Sequence, residues 1–366
     1  MKTKNLLAIT CCIGLLACKV SNSETKDITY SDPYPLNPPT YVCYQAPGTI
    51  TVDGILSPKE WEAVPWTSDF IAIEGGVRLA PYYHTRAKMT HDSQGMYFAV
   101  LVEEPHVWGT ITEHDAVIYH DNDFEIFLNP ANDTHNYLEY EVNALGTYWD
   151  LYLSKPYRDN PVVLNNWEFA GIQSAVHVDG TINNPNDTDK SWSVEVFIPW
   201  SSIYQVMRRE EKPNEGEQIR VNFSRVQWTT EIQDGKYVKI PMPGEDKIRE
   251  HNWVWAPTGV INIHLPEYWG YVQFTDKIAG AETVPFTPQP EEEIKWILRN
   301  LYYRQAEYKR TTGEYASNSR VLKPEELGSP ELMRDLTLTT FSSQYEISLP
   351  DKNGKRWKIK EDGLVW

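Results

Sequence analysis

Residues 120–130 read HDNDFEIFLNP, and the order of apolar and acidic positions within them decides the fold class. Phe124, Ile126 and Leu128 share one parity, while Asp123, Glu125 and Phe127 share the other. Successive side chains of a strand point to opposite faces, so the first set faces a core and both carboxylates face away from it. Residues 137–146, YLEYEVNALG, repeat the arrangement, with Leu138, Tyr140 and Val142 inward and Glu139, Glu141 and Asn143 outward. As a hairpin, the two strands gather like charges on one face, which is destabilising unless something compensates.

The short-strand pattern extends in both directions. GTITVDG, TRAKMTHD, GMYFAVLVEE, TYWDLYL, SWSVEVFIPW, IRVNFSRVQW and YWGYVQF are strand-like runs punctuated by Gly, Asn, Asp and Pro, with almost no helical periodicity. Many short strands at this spacing indicate a mainly β chain whose residues 45–276 form a β-sandwich. Trp192, Val194 and Val196 alternate toward its core. One short helix is expected at SPKEW, where Ser57 caps, Pro58 suits the first turn and Glu60 completes a capping box.

Composition changes at GAETVPFTPQP, so residues 277–289 read as a linker and residues 290–366 as a small α+β module. Glu291 to Glu293 suit the start of its helix and Lys309 with Arg310 the end, with Ile294, Ile297, Leu298, Leu301 and Tyr308 on one apolar face. QYEISL, RWKIK and LVW follow as strand-like runs between the turns PDKNGK and EDG. The stretch NLYYRQAEYKRTTGEYASNSRVLKPEEL is weakly similar to the segment after the helix in pilin-like folds.

At the other end, Lys2 and Lys4 precede an apolar run from Leu6 to Ala17, too short to span a membrane and typical of a secretory signal over residues 1–17. Its end, LLAC, resembles the lipobox of bacterial lipoproteins, which implies cleavage before Cys18, acylation of the Cys18 thiol and a lipid anchor in a membrane. Lys19 rather than Asp follows, which points to the outer membrane or cell surface of the envelope. Cys11 and Cys12 leave with the signal, so only Cys43 stays free and the mature chain has no intramolecular disulfide. Residues 18–44 are polar and proline-rich and read as a tether.

A net charge of -17 argues against nucleic acid as a partner, because phosphate binding needs clustered Lys and Arg. Nothing matches GxSxG, HExxH, a CxxC zinc pattern or a phosphate loop, so neither nucleotide nor flavin is expected. The 14 Trp and 22 Tyr exceed what a core requires and suggest a stacking surface.

ITVDGILSPKEW, GMYFAVLVEEPHVW, DNDFEIFLNP, YLEYEVNALGTYWDLYL, WSVEVFIPW and NIHLPEYWGYVQF, taken as an ordered set, resemble the family 9 carbohydrate-binding modules and their relatives among bacterial lipoproteins. The resemblance covers residues 45–276 and implies a β-sandwich that holds sugars between aromatic rings, often with structural calcium. Sugar C–H groups favour Trp faces, and sugar hydroxyls need paired donors and acceptors. Trp108, Trp253 and Trp255 are the expected platforms, each with core packing as its alternative. Asp123, Glu125, Glu139, Glu141, Asn143, Arg86 and Arg225 are the expected polar contacts. Two compensators for the acidic face stay open. One is an ion-pair network with Arg86, Lys88 and Arg225; the other is calcium at Asp121, Asn122 and Asp123, with a further site at Asp187 and Asp189.

The expected function is non-catalytic glycan binding at the envelope, supporting neighbouring glycan-degrading enzymes or transporters. The alternatives are a glycoside hydrolase acting through paired carboxylates and, more remotely, a haem-binding sandwich using His91, His106, Met89 or Met96.

Overall fold

Tyr41 and Cys43 enter the main core while Val42 and Tyr44 pack on the opposite face, and this alternation makes Thr40–Gln45 the first strand, β1. The computed structural model describes residues 37–366. The strands after β1 are β2 (Ile71–Ala72), β3 (Thr85–His91), β4 (Gly95–Glu103), β5 (Asp123–Asn129), β6 (Tyr137–Asn143), β7 (Tyr148–Leu153) and β8 (Val163–Leu164). They continue with β9 (Gln173–Asp179), β10 (Ser191–Pro199), β11 (Gln218–Trp228), β12 (Thr230–Gln233), β13 (Lys236–Lys239), β14 (Glu250–Val254) and β15 (Gly270–Ile278).

The hydrogen-bonded order is β8-β7-β6-β5-β11-β15-β1-β3-β4-β10-β9, with β14 added on β11 and β2 on β14. β1 joins the two halves, pairing in parallel with β15 along Thr40–Cys43 and with β3 at Tyr44 and Gln45. Phe124, Ile126, Leu138 and Tyr140 from one half meet Phe98, Val100, Trp192 and Val194 from the other in one buried core. That is a β-sandwich, and the parity read from residues 120–130 holds.

Several expectations need correction. The tether to residue 44 is overtaken by β1, because its aromatic and Cys side chains fill both faces. GTITVDG forms no strand; Glu195, on the outer face of β10, instead accepts hydrogen bonds from Asp53 N at 2.8 Å and Gly54 N at 2.9 Å. Gly54 has φ +81, and a Cβ there would lie 2.7 Å from His177 N, so the turn requires glycine. The helix α1 (Pro58–Trp61) forms without a side-chain cap from Ser57, and Glu60 accepts from Thr51 N instead of closing a capping box. A second helix, α2 (Trp200–Met207), was not anticipated; it buries Trp200, Ile203 and Val206.

The segment after β15 is hydrogen-bonded along the sheet rather than free. Val284 N donates to Tyr44 Oη, Thr287 N to Gln273 Oε1, and Gln218 Nε2 to Thr287 O. Then come α3 (Glu292–Thr312), α4 (Pro330–Met333) and a small sheet of β16 (Thr337–Thr340), β17 (Tyr345–Pro350) and β18 (Arg356–Lys360). Ile294, Ile297, Leu298 and Leu301 are buried as their spacing predicts. The described residues fall in one compact unit, so the tail is docked on the sandwich. The signal, Cys18 and the tether to residue 36 lie outside the described residues. Among those described, no helix is long and apolar enough to cross a membrane.

Candidate functional site

Cross-strand register turns the acidic face into the floor of a pocket. One row across the sheet is Trp149, Glu141, Glu125 and Ser224; the next is Leu151, Glu139, Phe127 and Asn222; a third is Asn143, Asp123, Val226 and Asn252. Side chains in register share a face, so these rows stand away from the core. Loops before β5, after β7 and after β14 raise walls of Tyr119, Tyr157, Ile261 and His264 around a cavity of about 440 Å³. Tyr157 and His264 meet edge to face at 4.5 Å, and Tyr137 Oη lies 3.0 Å from His264 Nδ1. Burial holds His264 far down, to about 3, so it is neutral and serves as an aromatic wall.

The floor is charged in an unusual way. Burial, with Ser224 opposing it and Glu250 adding to it, pushes the Glu125 carboxyl up to about 7. Burial, and then the charge of Glu125, raises Asp123, Glu139 and Glu141 well above the carboxylate range. Glu139 and Glu141 are close enough to share a proton. Tyr119 N donates to Glu141 Oε2 at 3.2 Å and Val226 N to Asp123 Oδ1 at 3.2 Å, but Asp123 Oδ2 has no partner. The same charges are felt by the walls: burial, then Glu139 and Glu141, push Tyr157 up to about 12. Ionising several such buried groups side by side is costly, so protons or an incoming donor must offset it.

The expected cations do not. Arg225 pairs through Phe124 onto the opposite face of the sheet; it donates to Glu104 Oε2 at 3.0 Å and lies 5.0 Å over the Trp253 ring. Arg86 stacks 4.3 Å over Trp66 in the other half, and Lys88 donates to the Trp61 carbonyl beside it. The ion-pair reading of the acidic face is therefore corrected, because strand parity sends each of these side chains elsewhere.

The expected Trp platforms are corrected likewise. Trp253 and Trp255 are 1% and 3% exposed inside the main core, since β14 aligns Trp253 with Arg225 on the inner face. Trp108 is 6% exposed, in a loop held by Asp189 and Asn183 through Val107 N and Gly109 N. Asn143 is a turn-former: its Oδ1 accepts from Leu145 N and Thr147 N.

The residues first assigned to calcium are engaged in hydrogen bonds within their loops. Asp121 accepts from Thr110 N, Thr110 Oγ1, Ile111 N and Asn143 Nδ2 at 2.7–3.0 Å. Asn122 bridges Trp228 N and Glu104. Asp189 accepts from Val107 N and Thr181 N, and Asp187 from the Thr181 hydroxyl. These groups staple loops. The hard-oxygen cluster that the floor assembles is Asp123, Glu125 and Glu141, each with an oxygen within 4.8 Å of the others. Met89 and Met96, raised for haem, pack in the core; His91 Nε2 lies 3.0 Å from the Thr275 carbonyl oxygen, and His106 Nδ1 lies 3.3 Å from Tyr237 Oη.

Sequence reasoning missed Trp149, Tyr119, Tyr157 and His264. Trp149 was within reach, because alternation in TYWDLYL places it with Leu151 on the face of Glu139 and Glu141. The loop residues carried no periodic signal.

No family model matches the chain, and no curated protein matches it. Among solved structures the chain is similar to a "putative carbohydrate-binding protein" from Bacteroides uniformis, with a TM-score of 0.47, 15% identity and coverage of 65% of this chain and 100% of that one. It is also similar to a family 9 carbohydrate-binding module from Caldicellulosiruptor kristjanssonii. In complex with cellotriose that module gives a TM-score of 0.40 and 16% identity over 68% of this chain and 100% of its own. In complex with glucose it gives 0.41 and 15% over 67% and 100%.

Proposed function

We propose that the chain binds a glycan in the pocket floored by Glu125, Glu139 and Glu141, and does so without catalysis, as a lipid-anchored protein of the bacterial envelope. One observation carries the reading: a cavity of about 440 Å³ combines buried acceptors lacking cationic partners with the rings of Tyr119, Trp149 and Tyr157. Sugar hydroxyls donate to such carboxyls, and sugar C–H faces pack on such rings. The anchor at Cys18 would hold the pocket where polysaccharide arrives, for use by neighbouring enzymes or transporters.

A hydrolase reading draws on Glu125, whose value near 7 suits a general acid. Against it, Glu125, Glu139 and Glu141 stand side by side on one face of a sheet, whereas glycosidase carboxyls flank the scissile bond from two sides.

A glycan array followed by calorimetric titration tests the binding. Trp149→Ala is expected to weaken the best ligand by roughly tenfold to a hundredfold, about 1–3 kcal/mol, with a lowered but still cooperative melt, since Trp149 is half-buried against the Phe127 cluster. Absence of any glycan ligand, or undiminished binding by the variant, overturns the placement; release of reducing sugar by the wild-type chain would favour the hydrolase. Cys18→Ser is expected to move the protein out of the membrane fraction, and a variant that stays there refutes the anchor.

A further inference from the structure

A second cluster lies on the opposite face of β7, away from the floor of the glycan pocket. His114, Asp115, Asp150 and Glu168 each place a ligand atom within 4.8 Å of the others. They come from separate pieces of chain: the loop after β4, β7 itself and the segment after β8. His114 Nε2 lies 2.9 Å from Glu168 Oε1 and 3.4 Å from Asp115 Oδ1. Donors held about 2.1 Å from one ion stand roughly 3–3.5 Å apart, so this spacing already suits a shared cation.

Three further observations separate the cluster from an ordinary acidic surface. Asp150 is 0% exposed, and its Oδ1 has no hydrogen-bond partner, while its Oδ2 accepts from Phe169 N at 2.6 Å. His114 Nδ1 lies 3.0 Å from the Tyr148 carbonyl oxygen, which can only accept, so Nδ1 carries a proton and Nε2 is the nitrogen turned to the carboxylates. Orientation of a metal-binding imidazole by a carbonyl on its other nitrogen is a common supporting contact. Finally, among the described residues no Lys or Arg pairs with Asp115, Asp150 or Glu168. A protonated His114 could match only one of the three carboxyls.

We infer that His114, Asp115, Asp150 and Glu168 form a binding site for a divalent transition cation, zinc or manganese. One imidazole with three carboxylates is a borderline donor set, better suited to those ions than to calcium, which takes oxygen ligands throughout. The ion would tie the loop around His114 and the segment around Glu168 to β7. That segment also fixes a pocket wall, since Trp149 Nε1 donates to the Asn165 carbonyl at 3.0 Å.

The test is calorimetric titration of the purified full chain, stripped with chelator, using zinc, manganese and calcium chlorides separately, with a thermal melt beside each. One equivalent of zinc or manganese is expected to bind and raise the melting temperature. Asp150→Asn keeps an oxygen for Phe169 N, and Glu168→Gln alters an exposed group, so both variants should fold. Each is expected to lose about tenfold to a hundredfold in affinity. Failure to bind zinc or manganese stoichiometrically overturns the site in favour of an imidazolium ion pair. Undiminished binding in both variants overturns its location, and binding of calcium alone overturns the assignment of the ion.

Discussion

Two buried acidic centres occupy the same outer sheet face and behave in opposite ways. Around Glu292, at the start of α3, charge is matched: Arg220 Nη2 lies 2.9 Å away, Lys295 Nζ 2.9 Å and Arg299 Nη1 3.6 Å. Asn132 Nδ2 and Tyr271 Oη complete its hydrogen bonds. Burial alone would raise that carboxyl, but Arg220, Arg299 and Lys295 hold it well below its ordinary value. In the pocket, burial acts on Asp123, Glu125, Glu139 and Glu141 with no such cations, and each is raised. A satisfied charge centre fastens two pieces of structure together. An unsatisfied one is held ready by its surroundings for something that arrives, which is why the pocket and not the Glu292 centre is read as the binding site.

The largest expected effect comes from removing the matched centre altogether. A chain ending at Asp276 would leave Arg220, 1% exposed, without Glu292 and would strip Tyr271 and Tyr268 of their contacts with Glu292 and Trp296. Breaking a buried pair in this way costs about 3–5 kcal/mol before any apolar exposure is added. Loss of cooperative thermal unfolding is expected; a truncated chain that melts like the intact one would make the tail a separate module after all.

Titration sharpens the contrast at about the same or smaller scale. Glu125 has a folded value near 7 against an ordinary 4.5, so the folded state holds that proton more tightly than the unfolded state. Its effect is absent below about pH 4.5; stability then falls as pH rises to about 7 and stays lowered above, by something on the order of 3 kcal/mol. Glu292 is shifted downward from 4.5, so its contribution is present above that pH and is lost as pH falls toward its folded value. The melting temperature should therefore peak near pH 5. Glu125→Gln should flatten the neutral limb and Glu292→Gln the acid limb. A profile that neither substitution changes would refute the comparison.

Calcium is the smallest of these effects. If a hard cation can settle the floor at Asp123, Glu125 and Glu141, calcium at ten times its Kd should stabilise the chain by about 1.4 kcal/mol. The measurement belongs in an Asp150→Asn background, so that the other cation site does not contribute. An unchanged melt, or an equal response from Glu125→Gln, would leave protons and glycan hydroxyls as the compensators.

Much of the framework was legible before any coordinates. Alternation in residues 120–130 and 137–146 placed Phe124, Ile126, Leu138 and Tyr140 in the core and their acidic neighbours outside it, and the spacing from Ile294 to Leu301 marked the buried side of α3. The Pro-rich lead-in concealed β1, because a strand with apolar residues on both faces has no alternation to reveal it. Trp253 and Trp255 illustrate the limit of composition: two tryptophans of equal parity can serve a surface or a core, and the choice depended on the register of β14 against β11, which sets Trp253 beside Arg225 on the inner face.

The sequence by itself determined which side chains share a face, because strand periodicity is a local steric property of the backbone. It thereby determined that carboxyls would crowd together on the outer side of β5 and β6. Whether that crowd is solvated, paired or enclosed was a matter for the tertiary structure alone. Loops carrying Tyr119, Tyr157 and His264 close over Glu125, Glu139 and Glu141, while strand parity sends Arg225 to the opposite side of the sheet and Arg86 lies in the other half of the sandwich. Desolvation and charge pairing depend on which distant segments meet, and no local pattern encodes that meeting.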